Sequence, residues 1–402
     1  MDSEILKFKS FITNPTGLRR FFSEFIRKRA WVWDGVWLPF LVTRGMLTFV
    51  GWFSHYYFPN PEFSVKHIIE RGWWFVPQWF VDMWCRWDTG WYMSIVANGY
   101  VVNGDIRTHQ SNLAFFPLYP YLIKGILHIF PNALPELIGI LISNILLLIA
   151  LFYLYKLVET SHDVETAQRT IWYLLIFPTA FFFSAVYTEA TFLCLSILTF
   201  YAALSERWKL ASVFGFLLAL TRLPGALILL PILWIYFEKH KWRISKSDWN
   251  IIWFSLVPTG LIMFIWFSYL KTGNIFAFRQ VYEAWGRSSM LPWESLFAPT
   301  TISVFIFRLD LAAVFGFLIL GLLSLKWLRS ASYGIYSLIN IALILFNGSH
   351  ASAARYCVVI FPAFMVLALM GRNSKIDKLI FVLFICIQSV LFVAWSRFYW
   401  VG

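Results

Sequence analysis

Long apolar runs broken by short polar turns dominate the chain. The first covers about 31–53, and a longer mixed stretch of polar and aromatic residues then reaches about 135. Further runs follow near 136–156, 170–185, 188–205, 209–221, 223–237, 250–270, 302–325, 332–347, 354–370 and 377–396. The run "LPELIGILISNILLLIALFYLYKLV" (Leu134 to Val158) is nearly free of charge, and about 20 such residues carry an α-helix across roughly 30 Å of hydrocarbon. The pattern predicts an all-α integral membrane protein with about eleven transmembrane helices, several of them short enough to be tilted or merged. Segment 1–30 is basic and precedes a single transmembrane domain, 31–402, whose first outer loop is about 54–135.

Charge fixes an expected sidedness. With the N-terminus in the cytoplasm, the loops on that side hold Lys156 and Arg169, then Arg207 and Lys209, then "EKHKWRISK", then Lys326 and Arg329, then Arg372, Lys375 and Lys378. Every second turn is basic, as the positive-inside rule requires. The segment 54–135, Glu189, the stretch 271–299 and His350 then fall on the outer face. Loop 54–135 is too long for a simple connection. It holds "RGWWFVPQWF", "WYMSIVANGY" and "LAFFPLYPYLIKGILHIF", aromatic-rich pieces interrupted by Pro or Gly that read as helices lying at the membrane interface.

Composition agrees: 59% of the chain is hydrophobic and 13% charged, outside the range of soluble globular domains. The net charge of +12 belongs with membrane topology and anionic headgroups rather than with nucleic acid. Cys85, Cys194, Cys357 and Cys386 form no CxxC pair, so neither a zinc site nor a disulfide framework is expected. The N-terminal stretch lacks the short apolar core and small-residue cleavage site of a removable signal peptide, so the first span is expected to stay in the mature protein. No HExxH, GxSxG, Walker loop or DxD is present, which leaves no case for a zincin, an α/β-hydrolase or a P-loop ATPase.

The candidate chemistry sits on the expected outer face. Asp88, in "CRWDTGWY", follows Arg86 where the outer loop turns into "TGWYMSIVANGY". It fits a general base toward a bound hydroxyl and equally the N-cap of the following helix. "FPTAFFFSAVYTEATFL" sets Tyr187 and Glu189 between two apolar runs, "LTRLPGALILLP" sets Arg222 beside Pro224, and "NGSHASAARYCVVIFP" brings in His350 and Arg355. Ionisable groups at membrane depth are costly and point to a site, although Glu189 also fits a helix cap and the arginines also fit snorkelling to headgroups. Arg44 is either a further member or a structural partner of Asp34. Lone histidines such as His109 and His350 fit structural roles as well as ligand contacts. One acid with several arginines suits transfer from a phosphate-linked donor, where a base deprotonates the acceptor and guanidiniums hold the departing phosphate. The expected site is thus Asp88 as catalytic base, with Arg86, Glu189, Arg222, Arg355, Tyr187 and His350 binding substrate, and with no metal and no cofactor.

"RWDTGWYMSIVANGY" (Arg86 to Tyr100), "NLAFFPLYPYLI" (Asn112 to Ile123), "FPTAFFFSAVYTEATFL" (Phe177 to Leu193), "LTRLPGALILLP" (Leu220 to Pro231) and "SAARYCVVIFPAF" (Ser352 to Phe364) follow one another from Arg44 onward in an order that resembles the PIG-V type GPI mannosyltransferases and their prokaryotic relatives. The resemblance implies a GT-C fold with interfacial helices in a large first outer loop. It implies an inverting glycosyltransferase using a polyprenyl-phosphate sugar, dolichyl-phosphate mannose in eukaryotic members, and a lipid or glycan acceptor. Asp88 holds the place of the family's "RWD" acid, which the resemblance makes the catalytic one. Arg86, Glu189, Arg222 and Arg355 lie in motifs to which it assigns no role. The chain is shorter than the eukaryotic enzymes, which favours a prokaryotic plasma-membrane protein. A polytopic lipid or sugar transporter or flippase is the alternative from another class, and it would be expected to show inverted repeats or paired broken helices. A non-catalytic subunit that keeps the fold is a third.

Overall fold

The computed structural model describes residues 31–58, 74–102, 104–243, 249–287, 291, 294, 303–347 and 349–401. The basic segment 1–30, residues 59–73 of the first outer loop and part of "EKHKWRISK" lie outside the described residues.

The described residues are helical and contain no strand. A π-turn, Trp33–Trp37, leads into α1 (Leu38–Tyr57), followed by α2 (Trp79–Asp82), α3 (Thr89–Asn98), α4 (Leu118–Ile129), α5 (Pro135–Ser161) and α6 (Val164–Ile176). Then come α7 (Glu189–Leu204), α8 (Trp208–Ala219), α9 (Leu229–Lys239), α10 (Leu256–Thr272) and α11 (Ala277–Gln280). The last are α12 (Val304–Trp327), α13 (Ala331–Leu345), α14 (Ala353–Cys357), α15 (Phe361–Met370) and α16 (Ser374–Ser396). Five segments are long and apolar enough to cross a membrane: Trp33–Tyr57, Pro135–Ser161, Trp249–Thr272, Val304–Trp327 and Ser374–Ser396. The helices α7, α8, α13 and α15 are apolar but shorter.

Short polar side chains start several of these helices. Asp163 accepts from the Thr166 amide ahead of α6, Ser303 from Ile306 ahead of α12, Ser330 from Ser332 ahead of α13 and Asn373 from Lys375 ahead of α16. Each satisfies an amide that has no partner within the helix. Three of these starts share one end of the bundle. There Arg372 pairs with Asp163, Arg329 Nη1 reaches the Thr160 carbonyl at 3.4 Å, Lys239 meets Glu206 at 3.1 Å and Ser330 bonds Glu238 at 2.6 Å. The basic turns expected on one side of the membrane are therefore joined at one end.

At the other end, three predicted apolar runs break. Run 170–185 is helical to Ile176 and becomes a 3₁₀ turn at Ala180–Phe183, because Pro178 disfavours helix at Phe177. Run 223–237 starts as a 3₁₀ turn, Leu223–Ile228, carrying Pro224, and run 354–370 splits into α14 and α15 with Pro362 opening the second. These breaks present Tyr187, Glu189, Arg222 and Arg355 on irregular backbone or at helix ends.

The core lies among α5, α6, α7, α12, α13 and α15. α15 is buried almost all round, from Phe361 through Val366, as suits a helix apolar on every side. The long helices instead expose large apolar side chains such as Ile145, Met263, Trp266, Ile319 and Val382, a surface stable against hydrocarbon rather than water. In the outer loop the expected helical pieces form as α2, α3 and α4, although "RGWWFVPQWF" starts outside the described residues. α4 is two-faced, burying Tyr119 and Ile123 and exposing Leu122 and Ile129. α3 buries Thr89, Tyr92, Ile95 and Val96 and packs on α4 and α5.

Candidate functional site

Asp88 is the N-cap residue of α3, yet its side chain makes no capping bond. Its Oδ2 accepts from Arg355 Nη1 at 2.8 Å instead. Trp87 places it by adopting a left-handed backbone (φ 46°), a conformation that costs a non-glycine residue about 1 kcal/mol or more and that collects at functional sites. Tyr187 locks the turn. Its hydroxyl donates to the Arg86 carbonyl and accepts from the Asp88 amide, both at 3.0 Å. Burial pushes the Tyr187 phenol well above its ordinary range, so it remains a neutral donor.

Glu189, the first residue of α7, is completely buried and pairs with two guanidiniums. Its Oε1 lies 2.5 Å from Arg355 Nε and 2.5 Å from Arg222 Nη2. Arg222 Nε also donates to Thr188 Oγ1 at 2.7 Å, and that hydroxyl lies 3.3 Å from Tyr92 OH. Arg355 further stacks over the Tyr187 ring, 4.4 Å from its centroid, a cation–π contact that strengthens where water is excluded. Two carboxylates and two guanidiniums thus form one chain, Asp88–Arg355–Glu189–Arg222. Neither the cap reading of Glu189 nor snorkelling of Arg222 and Arg355 describes it, since these groups hold one another at 15% side-chain exposure or less.

α14 carries Arg355, and Asp310 sets its start. This buried carboxylate on α12 accepts from the Ser352 amide at 3.1 Å and the Ala354 amide at 2.8 Å. Ser352 is again a left-handed non-glycine residue (φ 70°). The two strained residues therefore lie just ahead of the two partners, Asp88 and Arg355.

A cavity of about 400 Å³ opens on this chain, lined by Asp88, Tyr92, Arg222 and Arg355 together with Arg279, Arg287, Tyr356, Trp285 and Trp400. Asp88 is the carboxylate on its wall among the described residues. A second cavity, bounded by Phe305, Ile306, Val390 and Leu391, shares Trp285 and Trp400 with it.

Asp88, Arg222 and Arg355 line the cavity, with Glu189 and Tyr187 packed behind them. Two other expected members are placed elsewhere. Arg86 does not line the cavity: its guanidinium donates to Asp82 Oδ2 at 3.1 Å, to the Cys85 carbonyl at 2.6 Å and to the Ser396 carbonyl at 2.6 Å. It ties the Asp82 turn, whose Oδ1 accepts from the amides of Trp74, Phe75 and Val76, to the end of α16. His350 is buried with its ring edge-on to Phe307 and also lies off the cavity wall. Arg44 bonds Ser184 Oγ at 2.8 Å and thereby braces the 3₁₀ turn after α6. Sequence reasoning missed Asp310, Arg279, Arg287 and Tyr356. The lone acid in the run 302–325 was a visible signal for the first. Among the described residues there is no group of three or more His, Cys, Asp or Glu suited to a metal ion, and Cys85, Cys194, Cys357 and Cys386 are all free thiols.

No protein-family model matches the chain and no curated protein matches it.

Proposed function

We propose that this protein is a membrane glycosyltransferase of the GT-C kind, transferring a sugar, mannose foremost, from a polyprenyl-phosphate donor to an acceptor hydroxyl with inversion. The observation that carries the reading is the state of Asp88: a carboxylate at a helix start that forgoes the cap, is held by Arg355 and lines the cavity. Arg355 occupies Oδ2, and the second oxygen receives no hydrogen bond from the described residues. That oxygen is available to an acceptor hydroxyl.

In the proposed step Asp88 takes the hydroxyl proton while the acceptor oxygen attacks the anomeric carbon. The bond from that carbon to the phosphate oxygen breaks, and its electron pair leaves with the polyprenyl phosphate. One carboxylate on the cavity wall suits a single displacement. Retention through a covalent intermediate would call for a second acid about 5 Å away, and Glu189 is held behind the wall by two arginines. A cavity of about 400 Å³ falls within the usual range for small-ligand sites. The reading needs no bound metal and no cofactor.

The resemblance to the PIG-V type family supplies the donor class and the GT-C assignment. On this reading the four shorter apolar helices together with α6 and α9, each extended by its adjoining turn, bring the five long spans to about eleven crossings. The end joined by Arg329, Arg372 and Lys239 faces the cytoplasm of a prokaryotic plasma membrane, and the cavity faces outward.

The test is transfer of label from synthetic polyprenyl-phosphate [³H]mannose by the purified protein, with a membrane lipid extract as the acceptor pool. A new labelled product with inverted anomeric configuration supports the proposal. Absence of transfer from mannose and from a panel of other polyprenyl-phosphate sugars overturns it.

A further inference from the structure

The arginines that the sequence offers for a substrate phosphate, Arg222 and Arg355, are already engaged by Glu189 and Asp88. The cavity wall carries two more, Arg279 and Arg287, from the loop after α10. Arg287 is half-buried on the wall, where a guanidinium favours an anionic ligand.

The loop is built to hold Arg287 in place. The turn Glu283–Trp285 ends at Gly286, whose left-handed backbone (φ 67°) only glycine adopts without strain. That reversal lets the Arg287 amide bond the Tyr282 carbonyl at 3.1 Å. Tyr282 in turn donates to the Ala114 carbonyl at 2.8 Å, fastening the loop to the segment ahead of α4. Arg287 lies over the Tyr356 ring, 5.2 Å from its centroid, and the Arg222 and Arg355 guanidiniums sit at 5.7 and 5.6 Å from the same ring. Arg222 and Arg355 already have carboxylate partners. Arg287 has no ion pair among the described residues, and the buried indole N–H of Trp285 has no acceptor there.

We infer that Arg287, with Tyr356 as its platform, is the binding group for a phosphate ester in this cavity. Arg222 and Arg355 serve the carboxylates instead. The inference rests on the proposed function for its choice of anion and deepens it: the substrate's phosphate lies on the 277–287 loop side of the cavity that Asp88 also lines. A phosphate ester can come from an isoprenyl phosphate or from a phospholipid headgroup, and the chemistry of recognition is the same forked hydrogen bonding.

The experiment measures binding without turnover. Farnesyl phosphate and farnesol are titrated into the intact protein in phosphatidylcholine nanodiscs, with tryptophan fluorescence and calorimetry as readouts. For Arg287→Gln the farnesyl phosphate affinity falls at least tenfold while farnesol binding stays within about twofold. Arg287→Lys retains most of the affinity, and thermal midpoints confirm that both variants are folded. Unchanged farnesyl phosphate affinity in folded Arg287→Gln overturns the inference, as does an equal loss for farnesol. Repeating the titration in discs containing phosphatidylglycerol separates the sources. Displacement that depends on Arg287 assigns the site to headgroups, and undiminished binding assigns it to the isoprenyl phosphate, with the Arg287 site standing in both cases. If no sugar is transferred in any assay while Arg287-dependent binding persists, the reaction is wrong and the site is right.

Discussion

Asp88 Oδ2 lies 2.8 Å from Arg355 Nη1, joining residues 267 positions apart in the chain. The contact fixes the acid against the cavity without using its second oxygen. It also links the outer loop to the segment ahead of α15, so the proposed base is positioned by the fold of the whole bundle.

Glu189 is the hub of the charge chain, and removing its charge leaves Arg222 without a carboxylate and Arg355 with Asp88 alone. Losing one partner of a buried pair costs about 3–5 kcal/mol. Glu189→Gln is therefore expected to lower the thermal midpoint by several degrees, with Glu189→Asp intermediate. A double-mutant cycle of Glu189→Gln with Arg222→Gln should show strong coupling, because the second change removes a cation that the first left unpaired. Additive effects would contradict the hub role.

In the proposed reaction Asp310 acts through Arg355, whose helix start it holds, rather than on substrate. Asp310→Asn keeps an acceptor for one of the Ser352 and Ala354 amides, turns an NH2 donor toward the other and removes the charge. Its expected signature is a drop of about tenfold in kcat with KM nearly unchanged, since the base is misaligned while the cavity keeps its shape. An effect confined to KM, or a loss of stability with normal kcat, would assign Asp310 a different role.

Gly225 follows Arg222 in the broken start of α9, and a Cβ there would lie 2.2 Å from the Leu218 carbonyl oxygen. The backbone of α8 cannot retreat cheaply. Gly225→Ala is expected to destabilise the protein by about 1–3 kcal/mol and to weaken turnover by shifting Arg222. A variant as stable as wild type would show that this approach is looser than the geometry requires.

At the basic end, Asp163 caps α6 and pairs with Arg372. Burial alone would raise its carboxyl, but the Thr166 amide and hydroxyl and Arg372 outweigh it and hold it below its ordinary value. A carboxyl depressed in the folded state stabilises fully above its unfolded range, near pH 4, and loses that contribution as pH falls through the folded value. Asp163→Ala should thus cost about 1 kcal/mol at neutral pH, and the difference from wild type should shrink as pH drops below about 4. A constant difference across that range would contradict the charge argument.

The helical runs were legible because hydrocarbon demands long apolar segments and leaves a strong periodic record. The acid and the arginines at 88, 189, 222 and 355 were legible because charge is costly beside such segments. Their pairing was not, since it depends on which helix ends meet in three dimensions. Arg86 illustrates the limit: its spacing from Asp82 is the i, i+4 interval at which helical charges pair, and that signal, had it been weighed, pointed to a structural bridge. Arg279 and Arg287 escaped notice because they sit in a polar stretch expected outside the spans, where arginine is ordinary. Only the fold brings that stretch over the cavity.

The central claim is that Asp88 accepts the proton. The direct measurement is single-turnover sugar transfer by Asp88→Asn and wild type, both reconstituted in nanodiscs and matched in thermal midpoint and in farnesyl phosphate affinity. Asparagine preserves an oxygen for Arg355 and cannot take the proton, so the account predicts a fall of about 100-fold or more in the transfer rate with donor binding retained. Transfer at a near-normal rate by the folded variant would contradict it and move the search for the base elsewhere on the cavity wall.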